Sequence, residues 1–178
     1  MKTPILGSTY VARSVNAAAN RMVNLFPEII PEGGKEPAFL NRAPGLRLLT
    51  TFGTGPIRGL WTFGGYLYVV NGNTLYRFSS NSTTPATLGT VSGNPGPVCM
   101  SDNGTQLFVA CNGPSYIYNS TTGVFAQITD TDFPGAVSVG YIDGYFVFNQ
   151  PNSQKIWVTT MEDGTSIPGD FDSATGSP

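Results

Sequence analysis

From Ile57 onward the chain repeats one unit of roughly forty residues three times, and nothing else in the sequence constrains the fold as strongly. The dipeptides Gly64-Gly65, Asn103-Gly104 and Asp143-Gly144 mark one end of the unit, their second glycines 39 and 40 residues apart (65 to 104, 104 to 144). An apolar, aromatic-rich run follows each: Tyr66 to Val70, Gln106 to Ala110 and Tyr145 to Phe148. A second turn comes next, at Asn71-Gly72-Asn73, Asn112-Gly113-Pro114 and Pro151-Asn152-Ser153. Then comes a short run with an aromatic: Leu75-Tyr76-Arg77-Phe78, Tyr116-Ile117-Tyr118 and Ile156-Trp157-Val158. Gly, Asn and Asp pairs between such runs are hairpin signals, because the favoured two-residue turns need positive φ. In the first unit Leu60, Thr62 and Gly64 fall on one strand face, and Trp61 and Phe63 on the other. Such a unit cannot bury its apolar faces alone, and stacked copies of it are propeller blades.

The pattern predicts strands near 57–63, 66–71, 74–79 and 86–91 in the first unit, and near 98–101, 106–110, 115–118 and 124–128 in the second. In the third it predicts 137–142, 145–149 and 155–159. The expected fold is all-β: an incomplete propeller-like array of about three four-stranded antiparallel blades, preceded by an extended N-terminal arm. The expected division is an arm over 1–52 and repeats over 53–178, with blades at about 57–95, 96–135 and 136–172. Propellers need at least about four blades to close. The array is therefore expected to continue beyond residue 178 in a longer protein, or to be completed by other chains.

The arm reads differently. Arg13 to Arg21 is small and polar, rich enough in alanine for a helical turn. A strand is expected over 22–30, stopped at Pro27 or Pro31, and another over 38–42, with a turn at 43–47 leading into 48–52. One of these two or three strands is expected to complete a sheet formed elsewhere.

Composition narrows the function. The chain has 178 residues, enough for one domain with a real core. Its 22 glycines and 14 prolines suit many short strands joined by turns. Only 11% of residues are charged, the net charge is −2, and no basic run exists, so electrostatic capture of nucleic acid is not expected. No apolar stretch reaches 18 residues, and the N-terminus lacks the apolar core of a signal peptide. The expectation is synthesis in a cytoplasm, without a membrane span.

No catalytic, cofactor-binding or metal-binding residues are expected. With no histidine, Ser–His and Cys–His pairs and the common zinc sites are excluded. Asp130, Asp132, Asp143, Glu162, Asp163, Asp170 and Asp172 are the carboxylates from which a glycoside-cleaving pair could be drawn. Loop aspartates more often cap their own turns, and Asp130-Thr131-Asp132 lacks the ligand spacing of a calcium loop. Gly53-Thr54-Gly55-Pro56 does not lie between a strand and a helix, so it is no phosphate cradle. With Asn103-Gly104 as the turn centre, Cys99 falls opposite Phe108 and Cys111 opposite Gly96; both are read as small buried hydrophobes. Trp61, Tyr66, Tyr68, Tyr76, Tyr116, Tyr118, Tyr141, Tyr145 and Trp157 could line sugar sites. Their recurrence at equivalent positions favours packing between blades.

Three stretches carry a family resemblance. Arg13-Ser14-Val15-Asn16-Ala17, Arg21-Met22-Val23-Asn24-Leu25-Phe26-Pro27-Glu28 and Ala43-Pro44-Gly45-Leu46 resemble the start of the tail-hub family of short-tailed bacteriophages, the packaged-DNA stabilisation or tail accessory proteins. Gly53 and Gly59-Leu60 before the first hairpin fit too. Ile156-Trp157-Val158-Thr159-Thr160, then Asp163-Gly164-Thr165-Ser166 and Asp170-Phe171-Asp172-Ser173-Ala174, resemble a later Trp-then-Asp-Phe pattern of that family. The resemblance implies a non-enzymatic virion protein, made in the bacterial host and added after genome packaging. It implies a ring, a hexamer when full length, beneath the portal–adaptor complex. There it plugs the channel, retains DNA and docks the tail needle or tailspikes. Members of the family are typically much longer than this chain. The alternative is a carbohydrate-binding, lectin-like propeller, resting on the repeated aromatics.

Overall fold

The computed structural model describes residues 24–29, 38–169 and 171–173, and the chain divides into two compact units, 1–48 and 49–178. In the first unit β1 (Leu25–Ile29) pairs antiparallel with β2 (Ala38–Arg42). The strand ends at Ile29, and of the two expected stops, Pro27 and Pro31, the first is not one: Pro27 lies within the strand, opposite Leu40. The reason is hydrogen-bond alternation. The Ala43 amide donates to the Asn24 carbonyl at 2.8 Å, which puts Pro27 three residues on, at a non-hydrogen-bonded position. Its missing N–H costs the ladder nothing. The two strands form a two-stranded sheet with each other rather than completing another, and residues 48–52 form no strand. The helical turn expected near 13–21 lies outside the described residues.

The second unit is three four-stranded antiparallel meanders in chain order. The first sheet comprises β3 (Ile57–Phe63), β4 (Tyr66–Asn71), β5 (Thr74–Ser79) and β6 (Ala86–Thr90). The second comprises β7 (Cys99–Asp102), β8 (Gln106–Ala110), β9 (Ser115–Asn119) and β10 (Phe125–Gln127). The third comprises β11 (Val139–Ile142), β12 (Tyr145–Asn149), β13 (Lys155–Val158) and β14 (Phe171–Ser173). The first strands of successive sheets lie side by side, β3 by β7 and β7 by β11. β14 escaped the sequence reading because it is three residues long and separated from β13 by an irregular loop with no alternation.

The first and third hairpins turn where expected. Gly64 and Gly65, like Asp143 and Gly144, both have positive φ, as a type I′ turn requires. The second does not turn at Asn103-Gly104. Asp102 pairs with Leu107 and the Asn103 amide donates to the Gln106 carbonyl, so the central residues are Gly104 and Thr105. Only Gly104 of these two has positive φ, the pattern of a II′ turn with glycine first. Asn103 uses its Oδ1 instead to accept the Thr105 and Gln106 amides. The slip of one residue moves every side chain of the strand pair to the other face. Cys99 consequently lies opposite Ala110 rather than Phe108, and Cys111 lies beyond the end of β8.

With that register all three sheets stack in the same sense. Phe63, Tyr68, Val70 and Leu75 of the first sheet pack on Met100, Leu107, Val109 and Tyr118 of the second. From the opposite face of the second sheet, Phe108, Ala110 and Ile117 pack on Phe146, Phe148 and Trp157 of the third. Each of these large side chains, fully buried, contributes roughly 1.5–3 kcal/mol.

Candidate interaction surface

Polar clamps fix each blade to the next. Trp61 Nε1 donates to Asp102 Oδ2 at 2.7 Å, and Arg77 donates to the Tyr118 hydroxyl at 2.9 Å. Arg58 caps the link from the first sheet to the second: its guanidinium donates to the carbonyls of Gly72, Ser92, Asn94 and Gly96. Between the second and third sheets, Gln106 accepts the Gly164 amide at 2.7 Å and donates to Asp163 Oδ1 at 3.3 Å. Asn103 Nδ2 donates to the Glu162 carbonyl. Cys99 Sγ meets both the amide and the carbonyl of Val139, at 3.4 and 3.5 Å.

The carboxylates weighed as a catalytic pair serve local structure. Asp130 accepts the amides of Ile167 and Asp132, which holds its carboxyl below the usual range. For Asp163, desolvation pushes its acidity down, but hydrogen bonds from Thr165 and Gln106 outweigh it and its pKa is lowered overall. Glu162 accepts the Tyr141 hydroxyl at 2.5 Å, and this pushes the phenol up to about 12. Asp143 sits in its hairpin turn. Asp170 and the side chain of Asp172 lie outside the described residues. Among the described residues no three His, Cys, Asp or Glu side chains converge on one point. Gly53 to Pro56 is held by Asn71, which bonds the Phe52 carbonyl and the Gly55 amide.

The aromatics weighed as sugar platforms are mostly engaged in packing. Tyr68 and Tyr118 are buried 5.7 Å apart between the first two sheets, and Tyr116 stacks on Phe125. Tyr141 packs on Phe146, Tyr76 meets Phe52 edge-on, and Tyr66 lies under the Arg77 guanidinium. Trp157 is in the second core cluster. Tyr145 remains exposed.

Among the described residues, an apolar face is exposed at each end of the array. Strand register makes Leu60 of the first sheet equivalent to Met100 of the second, since each is opposite the valine at the same ladder position. Met100 is 4% exposed and Leu60 is 60% exposed. Leu107 is fully buried, while its counterpart Leu67 is 36% exposed. At the other end, Ile142 is the counterpart of Phe63; the first is 61% exposed and the second 5%. Beside Leu60 and Leu67, a groove of about 800 Å³ is lined by Leu49, Phe52, Ile57 and Phe78. The sequence reading missed these faces, because apolar alternation looks alike in covered and uncovered blades.

Repeated four-stranded meanders, stacked face to face with their first strands adjacent, define a propeller-type structural protein. The family is shown by comparison: all 178 residues match a bacteriophage stabilisation family described as "Bacteriophage P22 Gp10, beta-propeller", and the chain belongs to it. It is thus a member of a bacteriophage structural family. No curated protein matches. Among solved structures, the chain is similar to a glutaminyl cyclase of Myxococcus xanthus (15% identity, TM-score 0.38, covering 66% of this chain and 48% of that one). It is also similar to a chain of a mitotic checkpoint complex (13% identity, TM-score 0.44, covering 72% and 46%). The chain thus spans about half the length of each of these two.

Proposed function

We propose that this chain is part of a tail hub of a short-tailed bacteriophage. In this reading it joins the virion after packaging, closes the portal channel, retains the DNA and presents docking surface to a tail needle or tailspikes. The observation that carries the reading is the family match over residues 1–178. Composition supports it. With 11% charged residues and a net charge of −2, the chain is suited to holding DNA back by obstruction rather than by binding phosphates. The uncovered apolar faces suit a part surrounded by other protein. The arm over 1–52 and the blades over 53–178 are the two parts of this proposal, with the full-length protein working as a ring of six copies against portal or adaptor proteins. It works as a non-enzyme, made in the host cytoplasm.

The test is a phage lacking this gene product, grown with and without a complementing copy. The reading expects capsids that package DNA and then lose it, with retention restored by complementation. Stable, DNA-filled and infectious particles without the protein would refute it.

A further inference from the structure

We propose that Asp143-Gly144 is a modification site, the one Asn-Gly or Asp-Gly pair that the fold leaves free to isomerise to isoaspartate, and that the product loosens the joint between the second and third sheets. In this reaction the Gly144 nitrogen gives its proton to solvent and attacks Asp143 Cγ. The N–Cγ bond forms, a Cγ–O bond breaks, and that oxygen leaves as water. Water then adds to the resulting succinimide. Addition at Cγ returns aspartate. Addition at the backbone carbonyl carbon breaks the bond from that carbon to nitrogen and leaves the chain running through Cβ and Cγ. The water released equals the water taken up, so no other reactant is needed. The attack requires an amide with no hydrogen bond to give up, a side chain free to swing, and a following residue without a Cβ in the way.

The sequence has five such pairs: Asn71-Gly72, Asn103-Gly104, Asn112-Gly113, Asp143-Gly144 and Asp163-Gly164. In four of them the attacking amide is already bonded. The Gly72 amide donates to the Pro56 carbonyl at 2.8 Å, and the Gly113 amide to the Ala136 carbonyl at 2.9 Å. The Gly104 amide donates to Asp102 Oδ1 at 3.0 Å, and the Gly164 amide to Gln106 Oε1 at 2.7 Å. Three of the side chains are held as well. Asn71 bonds the Phe52 carbonyl and the Gly55 amide, Asn103 bonds three backbone groups, and Asp163 Oδ1 accepts from Thr165 and Gln106. Asp143-Gly144 differs on both counts. It is the centre of a I′ turn in which Ile142 pairs with Tyr145, a geometry that leaves the central amide out of the ladder. Among the described residues neither the Gly144 amide nor the Asp143 carboxylate has a hydrogen-bond partner, and Asp143 is exposed.

This exposure belongs to the hairpin end and not to an uncovered face. Gly64, Gly65 and Gly104, in the corresponding turns of the first two sheets, are exposed although a further sheet packs beside each. The product reaches the joint through Glu162. The Glu162 amide donates to the Gly144 carbonyl at 2.7 Å, its carboxylate accepts the Tyr141 hydroxyl, and its carbonyl accepts Asn103 Nδ2 of the second sheet at 3.2 Å. Isoaspartate inserts an extra backbone carbon into a two-residue turn, which then no longer fits the Ile142–Tyr145 pair. The Gly144 carbonyl is displaced, and with it the anchor that holds Glu162 against Asn103.

The test is ageing of the full chain at neutral pH, folded and in urea, until the urea sample has reacted. Peptide mapping by mass spectrometry with electron-transfer fragmentation separates isoaspartate from aspartate and reads deamidation at the asparagines. For each pair the quantity is its rate in the folded chain divided by its rate in urea, which cancels the intrinsic difference between Asn and Asp. The ratio is expected to be several-fold larger at Asp143 than at Asn71, Asn103, Asn112 or Asp163. A ratio as large at any of these four overturns the assignment, and so does a folded chain that stays unmodified at Asp143. Aged wild type is expected to melt at a lower temperature than fresh wild type. Asp143→Glu, whose side chain would have to close a larger ring, is expected to lose the isoaspartate signal and to melt alike before and after ageing. Equal melting of fresh and isomerised wild type overturns the coupling to the joint.

Discussion

The covered joints and the two end faces are made of the same kinds of residue at the same register positions, yet one set is dry and the other wet. Met100 and Leu60, Leu107 and Leu67, and Phe63 and Ile142 are counterparts of this sort. What differs is the neighbour. In a repeat array burial belongs to the joint and not to the residue, as expected when each unit contacts only the next. The joints also differ from each other: the first is tied by Arg58, Trp61 and Arg77, the second by Gln106 and Asn103 to backbone of the 162–164 loop.

The sharpest way to break this comparison is to truncate the same layer at a joint and at an end. Phe108→Ala should cost about 3–5 kcal/mol in denaturant unfolding, because it empties the fully buried centre of the second joint. Val147→Ala, its counterpart at the open end, should cost a small fraction of that in dilute solution. Equal losses would mean that the ends are already covered. Glycines give the next test. A Cβ on Gly59 would lie 2.6 Å from the Val98 carbonyl oxygen, which is backbone and cannot swing away. Gly59→Ala should destabilise by about 1–3 kcal/mol, whereas Gly140→Ala on the open face meets nothing and should be neutral within about 0.5 kcal/mol.

Smaller effects sharpen the picture. Cys111 is buried, and desolvation pushes its thiol up to about 11, whereas Cys99 is partly exposed. A disulfide-exchange reagent at neutral pH should therefore modify Cys99 first and reach Cys111 only on unfolding. Two equal fast phases would contradict the burial. The smallest effect concerns acid. Asp163 has a lowered pKa in the folded chain, so its stabilisation is complete above the unfolded value of about 3.9 and disappears as pH falls through the folded one. Asp163→Asn should flatten the acid limb of a melting-temperature profile below about pH 4. Because the carboxylate is largely solvated, the change should be slight.

Much of this fold is legible in the sequence. The repeat, the I′ signals at Gly64-Gly65 and Asp143-Gly144, and the sharing of one strand face by Trp61 and Phe63 all follow from turn chemistry and alternation; that this face meets the next blade comes from the structure. The resemblance of the N-terminal motifs to phage tail-hub proteins agrees with the family the chain belongs to. The second hairpin is where local rules mislead. Asn103-Gly104 reads as a I′ pair, but Asn103 is used as an acceptor for two amides, and the turn moves on by one residue. That single step decides which face carries Phe108 and which carries Leu107. Pro27 misleads in the opposite way, because only pairing parity shows that its missing N–H is harmless. The open faces were invisible because exposure depends on a partner outside the pattern.

Hydroxyl-radical footprinting of the folded chain tests the central claim most directly, since it reads solvent contact residue by residue. If burial belongs to the joint and not to the residue, Leu60, Leu67, Ile142 and Ile156 will react freely while their counterparts Met100, Leu107, Phe63 and Leu75 stay protected until the chain unfolds. Equal reactivity of the two sets in the folded chain would contradict the account.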